Sequence, residues 1–294
     1  MFGLIKLHKP TGVSSRHAIN QIQHRVRPTK VGHAGTLDPL AEGVLVVTLG
    51  PATRLTSHIH AWSKAYRGTF LLGRHSDTED IEGSVIELCD APIPTREDLE
   101  HILPMFTGTI SQQPPAHSAL KVDGERAYRL ARQGRPPQLA ARQVTIDRVE
   151  IVTYDYPRLE LNVVCHTWTY IRSLGRDIAR AVGSDAVMSA LTSTAVGHLT
   201  LDQAVSLEAL RELSLDEVLL SPLEALRDLP QVTLTSAQLE AVRHGRTIAL
   251  NDSCSRELAA VTPQGDLAAL LWDQGNHQYR PRRNFVPGFK SPAI

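Results

Sequence analysis

The segment Lys30-Val31-Gly32-His33-Ala34-Gly35-Thr36-Leu37-Asp38-Pro39-Leu40-Ala41-Glu42-Gly43 gathers three glycines, a proline, a histidine and one aspartate. The apolar run Val44-Leu45-Val46-Val47-Thr48-Leu49 follows it directly. Asp38 and Glu42 are the only acids in the first 76 residues, against ten lysines and arginines and seven of the thirteen histidines. A carboxylate held on a tight loop among cations suits covalent or electrostatic catalysis on a polyanion. An Asp-Pro pair in a glycine-rich loop is also ordinary turn chemistry. The loop alone leaves both readings open.

Three further groups of residues bear on the choice. Lys64-Ala65-Tyr66-Arg67 sets an aromatic between cations at the start of a strand-like run, and alternation sends Lys64 and Tyr66 to one face. A tyrosine there either stacks on an unpaired base or packs in the core with its hydroxyl bonded. Thr167-Trp168-Thr169-Tyr170-Ile171-Arg172 puts Tyr170 and Arg172 where a strand gives way to a helix. Gln113-Pro114-Pro115-Ala116-His117-Ser118-Ala119-Leu120-Lys121 is an extended polar loop able to lie along a ligand. The carboxylates of Ser76-Asp77-Thr78-Glu79-Asp80 lack the glycine and terminal glutamate spacing of a calcium loop. The chain carries no phosphate loop, dinucleotide fingerprint or deaminase zinc signature.

Those residues need a scaffold, and 294 residues suffice for one large domain or two unequal ones. The net charge of zero hides a patterned distribution. Residues 77–100 hold nine acids against the single Arg96; a basic run follows from Lys121 to Arg148, and Arg280, Arg282, Arg283 and Lys290 close the chain. Basic stripes on a neutral protein predict one polyanion-binding face; solvated helix faces are the alternative. The cysteines, Cys89, Cys165 and Cys254, form neither a zinc pattern nor a disulfide framework, which fits a reducing cytosol. No apolar run is long enough for a signal peptide or a membrane span.

Periodicity and capping residues outline the elements. Strands are expected at residues 3–8, 44–49 and 65–72, with a pair at 144–152 and 159–166 turning at Asp155-Tyr156-Pro157. Ser14 or Ser15 can cap a helix that buries Ala18, Ile19, Ile22 and Val26. Thr95-Arg96-Glu97-Asp98 opens a helix, Gly134 stops one at 127–133, and Gly183 ends one at 170–182. Ser214-x-x-Glu217 and Thr235-x-x-Gln238 start later helices. Beyond a boundary at Asp228-Leu229-Pro230, strands at 258–261 and 267–272 pair, and the chain ends in a basic, aromatic-containing tail. That tail suits nucleic-acid backbone and base contact, or simply closes a small β-domain.

The residues also carry a resemblance. Lys9-Pro10-x-Gly12-x-Ser14-Ser15 is followed by Gly32-His33-Ala34-Gly35-Thr36-Leu37-Asp38-Pro39 and Lys64-x-Tyr66. Then come Leu72-Gly73-x-x-Ser76-Asp77-Thr78-x-Asp80-x-x-Gly83, Gln113-x-Pro115-x-x-Ser118-Ala119-Leu120-Lys121 and Thr169-Tyr170-Ile171-Arg172-Ser173-Leu174. In this order and spacing the chain resembles the bacterial TruB family of tRNA pseudouridine synthases over residues 4–199. The tail after Pro230 resembles the small PUA-like domain that these enzymes append.

The resemblance implies an α+β fold: a large mixed, mostly antiparallel sheet flanked by helices, with residues 1–228 catalytic and 229–294 a β-rich PUA-like RNA-binding domain. It implies an isomerase that flips out a uridine in the T loop of tRNA, at tRNA position 55, and converts it to pseudouridine. It further implies no cofactor, no metal, no membrane, no obligatory protein partner, and a cytoplasmic monomer. Asp38 matches the catalytic aspartate, which either attacks the ribose C1′ or takes a proton from C2′. Arg172 matches the arginine paired with it. Tyr66 matches the tyrosine that stacks on the target base and helps remove the C5 proton, and His33 the histidine that holds the flipped nucleotide. Lys9, Lys64, Asp80, Tyr170 and Leu191 match further RNA- and base-binding positions. Three departures stand out: Ser76 where the family has threonine, His117 where it has tyrosine, and Leu191-Thr192-Ser193-Thr194 where it often reads Leu-Arg-Arg-Thr. Two rival readings share the scaffold: a non-catalytic tRNA-folding protein, and a guide-RNA-dependent relative that works with partner proteins. A nucleoside hydrolase is a third.

Overall fold

Val44, Leu45, Val46 and Val47 are all buried, so both faces of this strand are covered and it belongs inside a sheet. The computed structural model describes residues 1–250 and 255–286, so Cys254 and Lys290 lie outside the described residues. The main sheet has ten strands. Its principal path runs Val205–Ser206, Gly3–Lys9, Ala41–Leu49, Ala186–Val196, Lys64–Leu72, Arg158–Cys165, Arg142–Asp155, Gly108–Gln112. Val31–His33 lies beside Ala41–Leu49, and Leu199–Thr200 beside Ala186–Val196. Among the described residues only two of its strand–strand pairings are parallel: Ala41–Leu49 with Ala186–Val196, and Gly3–Lys9 with Val205–Ser206. The sheet is therefore mixed and mostly antiparallel, as expected.

Helix Ser15–Val26 buries Ala18, Ile19, Ile22 and Val26, and the Ser14 hydroxyl accepts from His17 N at 3.2 Å. The capping box at Thr95 and Asp98 is reciprocal, as are those at Ser214 and Glu217 and at Thr235 and Gln238. Helix Ile171–Ala181 packs on the sheet through Ile171, Leu174, Ile178 and Ala179. Gly175 lies in the interior of this helix because the Phe70 ring, fully buried on strand Lys64–Leu72, occupies the space a β-carbon would need. Gly43 has the same constraint from the Ser193 backbone, which sets how closely strands Ala41–Leu49 and Ala186–Val196 approach.

Residues after Pro230 form a five-stranded sheet ordered Gln231–Thr233, Glu257–Val261, Leu267–Asp273, Gln278–Asn284, Ile248–Ala249, flanked by helix Ser236–Arg243. One apolar cluster joins it to the main sheet through Leu4, Val44, Ala259, Leu267, Leu270 and Phe285. The basic tail departs from its reading as an aromatic RNA contact. Tyr279 is buried and its hydroxyl donates to Ser255 O at 2.9 Å. Phe285 is buried against Phe2, their ring centroids 5.2 Å apart. No helix among the described residues is long and apolar enough to cross a membrane.

Lys9 ends the first strand fully buried, its ammonium donating to the Pro10 and Val13 carbonyls at 2.7 Å each. Burial lowers its pKa to about 8, against the opposing pull of Asp38, Glu42 and Glu82. The unfolded chain therefore binds the lysine proton more tightly than the native one, and stability rises with pH between about 8 and 10.5. Urea denaturation at pH 8 and pH 10 should show the stability of the wild type rising relative to that of Lys9→Met, by at most about 3 kcal/mol, since Lys64 and Cys165 also titrate in this window in both proteins. Gly175→Ala gives a second expectation. Helix propensity alone would favour alanine by roughly 0.5–1 kcal/mol, but overpacking against Phe70 costs about 1–3 kcal/mol and wins. The substitution should lower stability in the wild type and cost less in a Phe70→Leu background, as a double-mutant cycle would show.

Candidate active site

The Asp38 loop is tied down on both sides of the carboxylate. Ser15, buried at the start of its helix, donates through its hydroxyl to Leu37 O and accepts from Leu37 N, both at 2.9 Å. Gly12 N donates to Pro39 O at 2.8 Å, and Ala41 N to Asp38 O at 3.1 Å. Gly35, with φ of 103°, makes a turn that side-chain-bearing residues rarely adopt. The two adjacent serines thus divide their work: Ser14 caps the helix, and Ser15 clamps the residue before Asp38.

Arg172, the second residue of helix Ile171–Ala181, reaches this loop from the opposite side and is only 5% exposed. Its Nε and Nη2 both lie 2.9 Å from Asp38 Oδ2. Its Nη1 donates to Thr78 O at 2.7 Å and lies 3.6 Å from Asp80 Oδ2, while Nη2 also donates to His117 O at 3.2 Å. A cation in the first turn of a helix faces the positive end of the helix dipole. The two carboxylates and two carbonyls compensate, and a planar five-donor guanidinium is the group that can meet all four. Oδ1 of Asp38 makes no hydrogen bond to the described residues, and the Asp38 side chain stays 37% exposed.

One turn further along the helix, Arg176 pairs with Glu79 and Asp177. Ser173 Oγ donates to Glu79 Oε2 at 2.7 Å. Glu79, at φ of 61°, and Asp80 therefore serve two arginines of one helix. The carboxylates of the Ser76–Asp80 segment that are buried are engaged by arginines rather than gathered as ligands.

Asp38, Tyr66, Arg172, His33, Lys64, Tyr170 and Leu191 line one cleft of about 390 Å³, within the range of small-ligand sites and roomy enough for a flipped nucleoside. Lys64 and Tyr66 share this face, as strand alternation requires. Lys64 donates to Trp62 O at 2.9 Å and to His60 O at 3.3 Å, and burial lowers its pKa. Burial first, then the nearby Cys165 and Asp38, push the Tyr66 phenol above its ordinary pKa. The ring nitrogen Nδ1 of His33 donates to Gly35 O. Burial and Arg16 lower the His33 pKa, against the Gly35 carbonyl, so the neutral imidazole is favoured. The Tyr170 backbone is clamped by the Gln112 side chain, which accepts from its N–H at 2.8 Å and donates to its carbonyl at 3.0 Å.

Lys9 and Asp80 lie outside the cleft lining. Lys9 fastens the Pro10–Val13 backbone, and Asp80 reaches the cleft only through Arg172. His117 supplies its carbonyl to Arg172, a contact that any side chain at 117 leaves in place. Thr192 donates to Glu42 Oε1 at 3.3 Å, and Ser193 is buried against Gly43. Sequence reasoning missed Gln112, Arg142, Trp168 and Ser118, whose buried hydroxyl in the cleft has no partner among the described residues. The polar loop beginning at Gln113 was the signal for Ser118; Gln112 and Arg142 carry no local motif at all.

A family model described as the N-terminal domain of TruB family pseudouridylate synthases matches residues 23–171. The tRNA pseudouridine synthase B of Brucella ovis is 37% identical over 313 residues, spanning 97% of this chain and 96% of that protein. The protein of the same name from Mycobacterium sp. strain KMS is 39% identical over 280 residues, 92% of each. Among solved structures, a Cbf5-Nop10-Gar1 complex matches with a TM-score of 0.70 at 25% identity, covering 92% of this chain and 78% of that one. An H/ACA RNP bound to a substrate RNA containing 2′-deoxyuridine matches at 0.72 and 22% identity, over 97% and 86% of the two chains, which speaks for a shared fold. With the Asp38 loop inside the matched segment and relatives aligned along nearly its whole length, the chain belongs to the TruB family of pseudouridylate synthases.

Proposed function

We propose that this protein isomerises a uridine of tRNA to pseudouridine, and that the uridine is the T-loop one at tRNA position 55. The observation that carries the reading is the Asp38–Arg172 pair. Both guanidinium contacts fall on Oδ2, so the ionised carboxylate is fixed in orientation while Oδ1 is left for the ribose. Asp38 breaks the N1–C1′ bond, either by attack on C1′ or by taking the C2′ proton. The uracil turns and C5 bonds to C1′, which releases Asp38 from C1′ in the first route and returns the abstracted proton to C2′ in the second; the C5 proton departs and N1 gains a proton, so atoms and charge balance without an external reagent.

Tyr66 stacks on the base. Its raised pKa keeps the phenol protonated, which fits a stacking wall better than a proton acceptor at C5. His33 and Leu191 bound the flipped nucleotide, and Lys64 and Tyr170 shape its rim. Lys9 and Asp80 position the loop and Arg172 rather than touching RNA. We take residues 1–228 as the catalytic domain and 229–294 as the PUA-like RNA-binding domain, the latter presenting Trp272 with Arg256 and Arg282 against its ring at 4.8 and 4.6 Å. The residues named at the site all come from one chain, and we take the protein to act as a monomer without a protein partner. Cys89 and Cys165 are free thiols, in keeping with the cytoplasm. A guide-RNA-dependent reading gains less support, since the tRNA synthases are 37–39% identical over nearly the whole chain.

Purified protein should convert the T-loop uridine of an unmodified tRNA transcript with no added cofactor. Asp38→Asn should bind that RNA with affinity within about threefold of wild type and form no detectable product; full turnover by this variant overturns the assignment of Asp38. Arg172→Lys keeps the charge and loses the planar fork. It should lower kcat on the order of a hundredfold while KM moves little, the signature of a misplaced catalytic group. Equal losses in kcat and affinity would instead make Arg172 an RNA-binding residue.

A further inference from the structure

Trp168 stands in a conformation that its side chain does not favour. Its φ is 75°, the left-handed region in which glycine is at ease and a bulky residue is an outlier. Trp168 is nevertheless 62% exposed, so core packing does not hold it there. Arg142 does: its Nη2 donates to Trp168 O at 2.7 Å, and its guanidinium lies 5.3 Å from the Trp168 ring and 5.1 Å from the Tyr170 ring. Arg142 Nε is buried and has no partner among the described residues. Trp168 and Tyr170 both line the cleft that holds Asp38, with the cationic Arg126 on the same lining.

An exposed aromatic, propped against a guanidinium beside a cationic cleft, matches what an unpaired base seeks: a π-face to stack on and nearby charge for its phosphate. We propose that Trp168 is a stacking platform for a second unpaired base, that of a loop nucleotide adjacent to the uridine held over Asp38, with Arg142 as the positioning residue behind it. The proposal rests on the RNA-modifying reading above. Tyr66 receives the reacting base and Trp168 its neighbour, so the flipped conformation of the loop is held at two points rather than one. The φ at residue 168 fixes the direction in which the indole projects, which a relaxed backbone would not.

The test uses the full chain, a T stem-loop RNA, and the variants Trp168→Gly and Trp168→Phe. Glycine suits the backbone angle, so Trp168→Gly should fold with a melting temperature no lower than wild type. It should raise KM about tenfold, with kcat changed far less, and Trp168→Phe should recover most of the loss. RNA should quench tryptophan fluorescence more in the wild type than in Trp168→Gly, the difference isolating Trp168 from Trp62 and Trp272. Unchanged KM in Trp168→Gly, or RNA quenching in that variant equal to that of the wild type, overturns the proposal. If the wild type binds the RNA and converts no uridine, the functional reading fails on its own, and the difference in quenching still decides whether Trp168 meets RNA.

Discussion

A guanidinium buried this deeply must be met by oxygen on nearly every side, and Arg172 imposes that demand on this fold. It is met from three distant stretches of chain: Asp38, the Thr78–Asp80 turn and the His117 carbonyl. None of these segments is regular structure, yet each has a fixed place because removing it would leave part of the guanidinium unpaired. The Glu79–Arg176 pair repeats the device one turn along the same helix. Two arginines on one helix face thereby fasten the loops around the cleft. Their net energetic worth is small after desolvation; what they specify is a single arrangement.

The same pairs explain how a chain of zero net charge presents basic surfaces. Asp80 and Glu79 are buried and matched to arginines that are buried too. Much of the acidic stretch that looked like a counterweight to the basic N-terminal third is spent inside the protein or on local contacts, such as Asp98 at its helix cap and Glu87 with Arg74. Cations such as Arg126, Arg129 and Arg132 are left without carboxylate partners among the described residues.

Elements with a clean period were legible from the residues. The helix at Ser15–Val26, the paired strands around Pro157 and the three capping boxes stand where spacing placed them. Strand Ala186–Val196 escaped notice although it lies at the centre of the sheet. Its small residues, Ala, Ser and Thr, show neither alternation nor a β-branched run, and two irregularities in its register break the period further. The final strand, Gln278–Asn284, was hidden by Pro281 and three arginines; the proline is accommodated beside a register shift, where a missing donor does least harm. In the site, the Asp38 motif and its arginine were readable because the family pattern marks them. Lys9 was expected among the RNA- and base-binding residues; a sequence cannot show that its ammonium has turned inward onto the Pro10 and Val13 carbonyls. The Thr167–Arg172 stretch was singled out for Tyr170 and Arg172 and not for Trp168, since a backbone angle leaves no trace in composition.

The double hydrogen bond between Ser15 and Leu37 settles which partner yields when the protein meets a folded ligand. The residue before Asp38 is fastened to the end of a helix whose other face is sunk in the core, so the carboxylate cannot advance toward a target without dragging that helix along. Mobility has to be supplied by the ligand. A rigid anvil of this kind leaves the cost of any rearrangement to the compliance of what it meets.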